Sequence, residues 1–337
     1  MSEENEEENT CASCGIAEID DVKLIECDGC DLVRYCSDEC QENHKSIHEA
    51  ACKKRAAEIR DEILFKQPET THLGDCPICS LPLYGTKTVG NTCCSKSICN
   101  GCVHANYIRF SGQYSCPFCR KPLAENDQEA DERRMKRIAM NDPVATYDYG
   151  LKQFREGEYQ SAFEHWTKAA ELGYADAHYS LSLMYSDGDG VEKDEGKEKF
   201  HLEEAAIGGH PEARHNLGCM EWNNGIAATL QAFDATLQAF LSIDHENIYG
   251  NIERKAERAV KHWIIAATLG FDESIKSLMT EFRNGHVSKE VLAAALRAHH
   301  AAVDATKSEQ REAAEEWSRM KKEAKNSTRR ISEAILS

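Results

Sequence analysis

Fifteen of the chain's 16 cysteines fall within the first 120 of its 337 residues. They come in close pairs, which is the arrangement a soft metal ion needs. The first block reads Cys11-x2-Cys14, Cys27-x2-Cys30, Cys36-x3-Cys40 and His48-x3-Cys52. The second holds Cys76-x2-Cys79, the adjacent Cys93 and Cys94, Cys99-x2-Cys102 and Cys116-x2-Cys119. A C-x2-C knuckle aims two thiolates at one ion from a tight turn, and an x3 spacing sets two ligands one helical turn apart. Thiolate and imidazole donors in fours suit tetrahedral zinc and disfavour magnesium or calcium. Four thiolate-rich ligands leave no open coordination position, so such ions build structure and do not activate water.

The first block resembles a MYND finger. Arg34-Tyr35-Cys36-Ser37, Cys40-Gln41, His48 and Cys52 carry the resemblance. Spacing alone leaves sequential and interleaved sites both open. The resemblance implies interleaving, with Cys11, Cys14, Cys36 and Cys40 on one zinc and Cys27, Cys30, His48 and Cys52 on the other. His44, four residues before His48 on the same helical face, is a competing candidate that the complete pattern does not need. MYND fingers bind short proline-containing peptides in an aromatic groove. Lys45 stands where many members carry tryptophan, and a lysine stem supplies no indole face.

The second block resembles a RING finger of the all-cysteine type found in one class of ubiquitin ligases. Cys76-Pro77-Ile78-Cys79, Cys99-Asn100-Gly101-Cys102 and Cys116-Pro117-Phe118-Cys119 carry that resemblance. It implies Cys76, Cys79, Cys99 and Cys102 on one ion and Cys93, Cys94, Cys116 and Cys119 on the other. Adjacent cysteines are an awkward pair of ligands because neighbouring side chains diverge, so Cys94 with an oxygen or with His104 is the alternative. Two ions per block make four zinc ions in all. RING ligases hold a ubiquitin-charged conjugating enzyme, and the matching contact positions are Ile78, Pro117, and Tyr107 or Ile108. Arg120 takes the place of the residue that bonds both ubiquitin and the conjugating enzyme, a task its rigid donor fork suits.

The elements that position these ligands follow from the rest of the chain. Each block is too short to bury an adequate core, so zinc binding doubles as folding free energy, about 10–16 kcal/mol for a structural ion. Between the blocks, Ser46 to Lys66 has a helical pattern with Ile47, Ala51, Ile59 and Ile63 near one face. Pro68 stops it, and this helix and linker (53–75) are expected to couple the modules. Residues 123–142 form a charged connector. Its Arg133, Arg134, Lys136 and Arg137 follow Glu129, Asp131 and Glu132, a pattern that fits i,i+4 pairs on a solvated helix better than a nuclear-localisation signal.

Beyond Pro143 the composition turns to Ala, Glu, Lys and Leu, and three segments repeat: Trp166–Gly173, Leu202–Gly209 and Trp263–Gly270. Each is followed by a second helical pattern, at 175–185, 211–222 and 272–282. With Gly190-Val191-x2-Asp194, these segments resemble Sel-1-like repeats, relatives of the tetratricopeptide array. A helix pair leaves an apolar face uncovered, so at least three pairs must stack, and Trp166 and Trp263 read as core. The interval from Ala169 to Ala205 is 36 residues, whereas that from Ala205 to Ala266 is 61. The excess, near 226–251, contains ATLQAF twice and reads as an insertion in a repeat loop, either functional or an error of the coding sequence. Cys219 reads as a small core residue. The repeats are expected over 143–305, with alanine-rich helices from Ser288 capping the array and a charged C-terminal helix, 306–337, projecting freely.

The expected architecture is therefore two small zinc-stabilised α+β modules (11–52 and 76–122) followed by an all-α repeat solenoid. The order of modules resembles that of a multi-domain family of unicellular algae. A net charge of −18 argues against nucleic-acid partners, which need basic surface. Residues 1–10 form an acidic tail with five glutamates, expected to be disordered, and show no secretory signal. No membrane span is expected, and abundant paired thiols point to a reducing compartment, cytoplasmic or nuclear. Two functions are compatible with this sequence. One is a RING-type ubiquitin ligase whose repeats recruit a protein substrate, and the other is a non-enzymatic zinc-binding adaptor.

Overall fold

Among the described residues, the paired strands of the zinc blocks are two short hairpins, because their ligand loops leave little chain for strands. The computed structural model describes residues 10–19, 22–85, 88–111, 115–238 and 245–336. The glutamates of the acidic tail lie outside the described residues, as does the stretch 239–244 within the long interval between repeats. The chain divides into two units, Met1–Lys66 and Gln67–Ser337.

In the first unit, β1 (Ile25–Glu26) pairs antiparallel with β2 (Arg34–Tyr35), placing Ile25 opposite Tyr35. The long helix α1 (Asp38–Leu64) starts where the Ser37 hydroxyl accepts the Cys40 N–H at 3.3 Å. It begins eight residues before the helical pattern read from the sequence. The expected apolar face is not its buried face, since Ile47 is 77% and Ile63 48% exposed. Cys40, His44, His48 and Cys52 recur every four residues and form the inward stripe that apolar residues would otherwise fill. Salt bridges cover the outer face, among them Arg55 to Asp31 and Glu62. The helix stays within the first unit and ends just before the boundary at Lys66.

In the second unit, β3 (Thr88–Gly90) pairs antiparallel with β4 (Ser97–Cys99), which runs straight into α2 (Asn100–Arg109). The connector becomes α3 (Asp127–Ile138), capped by Asn126 and carrying the Arg133–Glu129 pair. Next come α4 (Pro143–Arg155), α5 (Tyr159–Glu171), α6 (Ala175–Asp187), α7 (Glu195–Ile207), α8 (Pro211–Gln238), α9 (His245–Thr268), α10 (Asp272–Arg283), α11 (Lys289–Ala305) and α12 (Glu309–Leu336). Among the described residues, no helix is long and apolar enough to cross a membrane.

Helices α4 to α9 pack as three consecutive pairs, α4 with α5, α6 with α7 and α8 with α9, and α10 and α11 both pack against α9 as well as each other. The pairing differs by one helix from the sequence reading, which joined each repeated segment to the helix after it. Both contacts exist, but the partner within a pair precedes the repeated segment. A further difference concerns the extra residues near 226–251. They prolong α8 and α9 to 28 and 24 residues, where their neighbours α4 to α7 have 13 each, so apart from 239–244 they are helix and not loop.

Trp166 and Trp263 are buried at the centres of two cores, as expected. Each indole lies over a glycine of the preceding helix. A Cβ at Gly150 would stand 2.7 Å from Trp166 Cδ1, and one at Gly218 2.7 Å from Trp263 Cδ1. Glycine there lets the backbones approach closely, and the left-handed Gly173 and Gly270, at φ +79° and +92°, end the helices that carry the indoles. Cys219 packs at the edge of the Trp263 core.

The C-terminal helix does not project freely. It returns to the second zinc block and packs on α2, where Trp317 meets His104 and Tyr107 at centroid distances of 5.0 and 5.7 Å. The approach is close at Gly101, where a Cβ would lie 2.9 Å from the Arg311 nitrogen.

These contacts fix the sign of one substitution. Gly218→Ala gains about 1 kcal/mol of helix propensity but forces a methyl into the Trp263 indole, an overpacking cost of about 1–3 kcal/mol. The expected outcome is a lower urea midpoint for unfolding of the repeats. A rise of the midpoint would contradict the close approach.

Candidate metal centres

Three of the cysteine knuckles share one backbone design. In the first, the Gly15 N–H bonds the Cys11 carbonyl at 2.8 Å and the Cys11 N–H bonds Ile16 O at 2.8 Å. The same pair of bonds recurs at Cys76 (from Ser80, and to Leu81) and at Cys116 (from Arg120, and to Lys121), all at 2.8–2.9 Å. The turn requires a left-handed residue after the second cysteine, and Gly15, Ser80 and Arg120 sit there at φ +75°, +54° and +62°. The knuckle thus fixes the backbone of Arg120, and its side chain is exposed.

In the first unit, Cys11, Cys14, Cys36 and Cys40 bring their sulfurs together, and Cys27, Cys30, His48 and Cys52 form a second group. The quartets interleave along the chain. Cys14 and Cys36 Sγ are 3.6 Å apart, Cys36 and Cys40 3.6 Å, and Cys27 and Cys52 3.8 Å. The Cys30 sulfur lies 3.2 Å from His48 Nε2. His44 joins neither group: its Nδ1 hydrogen-bonds the Tyr35 hydroxyl at 3.1 Å and its ring stacks on His48, so it orients that ring. Lys45 pairs with Glu42 on the rim of an open cleft beside Tyr35 and Glu49.

In the second unit, Cys76, Cys79, Cys99 and Cys102 form one group and Cys93, Cys94, Cys116 and Cys119 the other, again interleaved. The Cys93–Cys119 and Cys94–Cys116 sulfurs are 3.3 and 3.7 Å apart, and Cys79–Cys99 3.8 Å. Adjacent Cys93 and Cys94 converge because the Cys94 and Ser95 N–H groups both bond Asn91 O, curling the chain into a tight turn. His104, the alternative ligand, faces Trp317 instead.

These donors fit zinc. Bonds of about 2.3 Å in a tetrahedron put sulfurs about 3.8 Å apart, close to the spacings here and far beyond a disulfide bond. All sixteen thiols are free. Titration behaviour points the same way. In each quartet one thiol falls below its ordinary value and at least one neighbour rises above it. Burial raises Cys11, but N–H groups of Cys14, Cys36 and Ser13 outweigh it and bring the thiol to about 6. Hydrogen bonds with Cys14 and Cys40 push Cys36 up to about 12. Burial likewise opposes a lowered Cys76, which main-chain bonds from Cys99, Cys79 and Ile78 bring to about 7, while burial raises Cys102 beside Cys99. Burial and the Cys27 thiol carry Cys52 to about 11, and burial with Cys116 carries Cys94 to about 11. One thiolate discourages the next unless a divalent cation sits among them.

The positions expected to dock a conjugating enzyme differ in exposure. Ile78 is 45% and Ile108 61% exposed, with Phe118 exposed beside a half-buried Pro117. Tyr107 is different, because it is engaged with Trp317. The sequence reading also missed Arg311. This arginine is 3% exposed and donates from Nη1 to Pro82 O at 2.7 Å and from Nη2 to Leu81 O at 3.1 Å. Its Nη2 is also 3.7 Å from Cys79 Sγ. Burial works against its charge, yet the Cys99 and Cys79 thiols raise it further, so Arg311 offsets part of the negative charge of that quartet. Its position 192 residues beyond Cys119 left no spacing signal.

Comparison with known proteins agrees with this geometry. Residues 11–52 match the MYND finger, and residues 144–174, 175–210 and 238–271 match the Sel1 repeat. The chain therefore carries a MYND finger and Sel1 repeats. Over 53 residues it is 36% identical to an exopolysaccharide production negative regulator of Rhizobium leguminosarum bv. viciae, covering 16% of this chain and 20% of that protein. Two solved structures share the likeness. One is a Sel1 repeat protein from Oxalobacter formigenes (22% identity, TM-score 0.38, 60% of this chain and 51% of that one). The other is a protective antigen of uropathogenic Escherichia coli with an SLR fold (14% identity, TM-score 0.29, 64% and 51%). The chain thus spans about half of each solved chain and a fifth of the curated relative.

Zinc loading must expel protons from the thiols that sit high, so affinity falls as pH falls. Withdrawing zinc from the full chain at pH 7 with a strong chelator should open both blocks to protease within 11–52 and 76–122, while the far-UV helicity of α4 to α11 persists. Unchanged cleavage would contradict a metal-held fold.

Proposed function

We propose that this chain is a zinc-dependent protein-interaction protein whose second zinc block is an all-cysteine RING-type finger. In this reading each block holds two zinc ions through its two quartets. The second block docks a ubiquitin-charged conjugating enzyme, and the repeats recruit the protein to be modified. The observation that supports the reading is the pair of crossed quartets at 76–119, whose first knuckle leaves Ile78 exposed, with Ile108 exposed on α2 and Pro117 half-buried in the last knuckle. Four-thiolate sites have no free coordination position, so the chemistry belongs to the charged enzyme and this chain supplies orientation. In this reading Arg120 bonds both ubiquitin and the conjugating enzyme, and its exposed side chain on a backbone held by the knuckle supports that role. The net charge of −18 sets nucleic acid aside as a partner. The free thiols fit a reducing compartment, cytoplasmic or nuclear.

A second reading, a non-enzymatic adaptor, is favoured by one observation. Trp317 lies against Tyr107 and removes part of the expected docking face. The MYND cleft, with the Lys45–Glu42 pair in place of an indole wall, then serves as a polar peptide groove.

Autoubiquitination with a panel of conjugating enzymes separates the two. The ligase reading expects product with wild type, a loss of about tenfold or more in Ile78→Ala and Arg120→Ala, as for a truncated interface anchor, and unchanged zinc content. Trp317→Ala should raise the rate if Tyr107 is part of the docking face. Wild type that is inactive across the panel favours the adaptor reading.

A further inference from the structure

Among the described residues, one other group of metal-ligating side chains outside the cysteine quartets converges in the second unit. It joins the segment leading into the second zinc block to the repeats. His72 lies four residues before Cys76, Asp176 in the first turn of α6, and His210 just before Pro211 opens α8. His72 Nε2 is 3.2 Å and His210 Nε2 3.5 Å from the same Asp176 oxygen, Oδ1. The histidine side chains are only 6% and 5% exposed. Burial opposes the charge on Asp176, but bonds from His210 and His72 outweigh it and hold the carboxyl below its ordinary range.

The backbone is built to bring these groups together. The His72 N–H bonds Gly209 O at 3.1 Å, and a Cβ at Gly209 would lie 2.9 Å from Thr70 O, so only glycine admits the segment this close to the repeats.

The surroundings supply what a metal site needs beyond its ligands. A metal-bound histidine is fixed by the hydrogen bond its other nitrogen makes, commonly to a carboxylate. His210 Nδ1 lies 3.2 Å from Glu212 Oε2, and the Tyr84 hydroxyl donates to Glu212 Oε1 at 3.2 Å. In the alternative tautomer the same Nδ1 accepts the Ala213 N–H at 3.3 Å. His72 has no such anchor, and its buried Nδ1 has no hydrogen-bond partner.

We propose that His72, Asp176 and His210 form a further metal site, separate from the cysteine quartets, that takes a borderline divalent cation such as zinc or cobalt. The ligands are the two Nε2 atoms and Asp176 Oδ1, with water in the remaining position. Two nitrogens and one oxygen select this class of ion over magnesium and calcium. Metal bonds of about 2.1 Å at tetrahedral angles put neighbouring donors about 3.4 Å apart, and His210 Nε2 already stands 3.5 Å from Asp176 Oδ1. One change is required. The imidazoles stack with centroids 4.2 Å and planes 13° apart, so an ion between them would lie well out of both ring planes. His72 must turn about its Cβ–Cγ bond, and no hydrogen bond at Nδ1 opposes that turn. The bound ion would clamp the segment before Cys76 onto α6 and α8. The rival arrangement is a hydrogen-bonded clamp in which two neutral imidazoles donate to Asp176.

Cobalt(II) titration of the full-length chain tests the proposal, after dialysis against a chelator that leaves four zinc equivalents on the thiolate quartets and strips weaker nitrogen–oxygen sites. Wild type should bind one further equivalent, with visible bands of a nitrogen–oxygen site and no sulfur-to-cobalt charge-transfer band. Asp176→Asn, and His72→Phe, which keeps a ring in the stack, should abolish that equivalent while zinc content stays unchanged. Glu212→Gln, which leaves all three ligands in place, should weaken it about 10–100-fold. If either ligand variant loses its zinc or helicity, the wild-type spectrum and the Glu212→Gln titration still decide. The proposal is overturned if wild type binds no cobalt beyond exchange at the quartets, if the new spectrum carries the sulfur band, or if the folded variants bind as wild type does.

Discussion

Crowded thiols depend on a cation, and much of this molecule is arranged around that dependence. Four sulfurs within tetrahedral reach cannot all ionise without a divalent ion, as the split between Cys11 and Cys36 or between Cys76 and Cys102 shows. The protein meets the problem in three ways. Knuckle N–H groups stabilise one thiolate per quartet, interleaving ties distant loops to the same ion, and Arg311 adds a full positive charge beside Cys79. The third differs in kind, because it recruits a residue from the far end of the chain.

That recruitment changes what the second block is. A separate zinc module joined to a repeat array by a tether would leave α2 bare. Here α12 lies along α2, Arg311 reaches three carbonyl oxygens (Leu81, Pro82 and Thr306), and Gly101 is glycine because the Arg311 backbone passes so close. On the connector side, Arg137 bonds both the Ser95 hydroxyl and Asp142, the cap of α4. The block is therefore held from two sides by elements of its own unit. Loss of zinc at 76–102 would loosen α12 as well as the knuckle, since two of the carbonyls that anchor Arg311, Leu81 and Pro82, belong to the loop after Cys79.

Legibility in the sequence followed the range of the interactions. The quartets stood out because their ligands recur at spacings set by local turns, and the repeat cores because Trp166, Trp263 and the helix-ending glycines recur in register. What stayed hidden was non-local or chemically disguised. Helix α1 was read too short and its buried face misplaced because ligands occupy the stripe that apolar residues normally mark. The ATLQAF copies have the composition of a helix and, as far as Gln238, prolong α8, but their unusual spacing read as a loop. Arg311, Trp317 and the group of His72, Asp176 and His210 are single residues from separate segments. No periodicity links them, and only the fold brings them together.

The contact between Trp317 and Tyr107 bears on how the two functional readings relate. A docking face needs exposed apolar anchors, and Ile78, Ile108 and Phe118 are exposed apolar side chains of the second block. Tyr107 and His104 instead face α12. Successive helical positions turn by about 100°, so one helix can present Ile108 outward while Tyr107 is covered. The two surfaces of α2 are thus used separately, one for the fold and one left exposed. A partner that needs only the exposed side can bind the molecule as it stands. A partner that also needs Tyr107 must first displace an indole held by two aromatic contacts and by the Lys321 ammonium 4.0 Å above its ring. The reach of the partner across α2 therefore decides whether the C-terminal helix is a neutral support or a competitor.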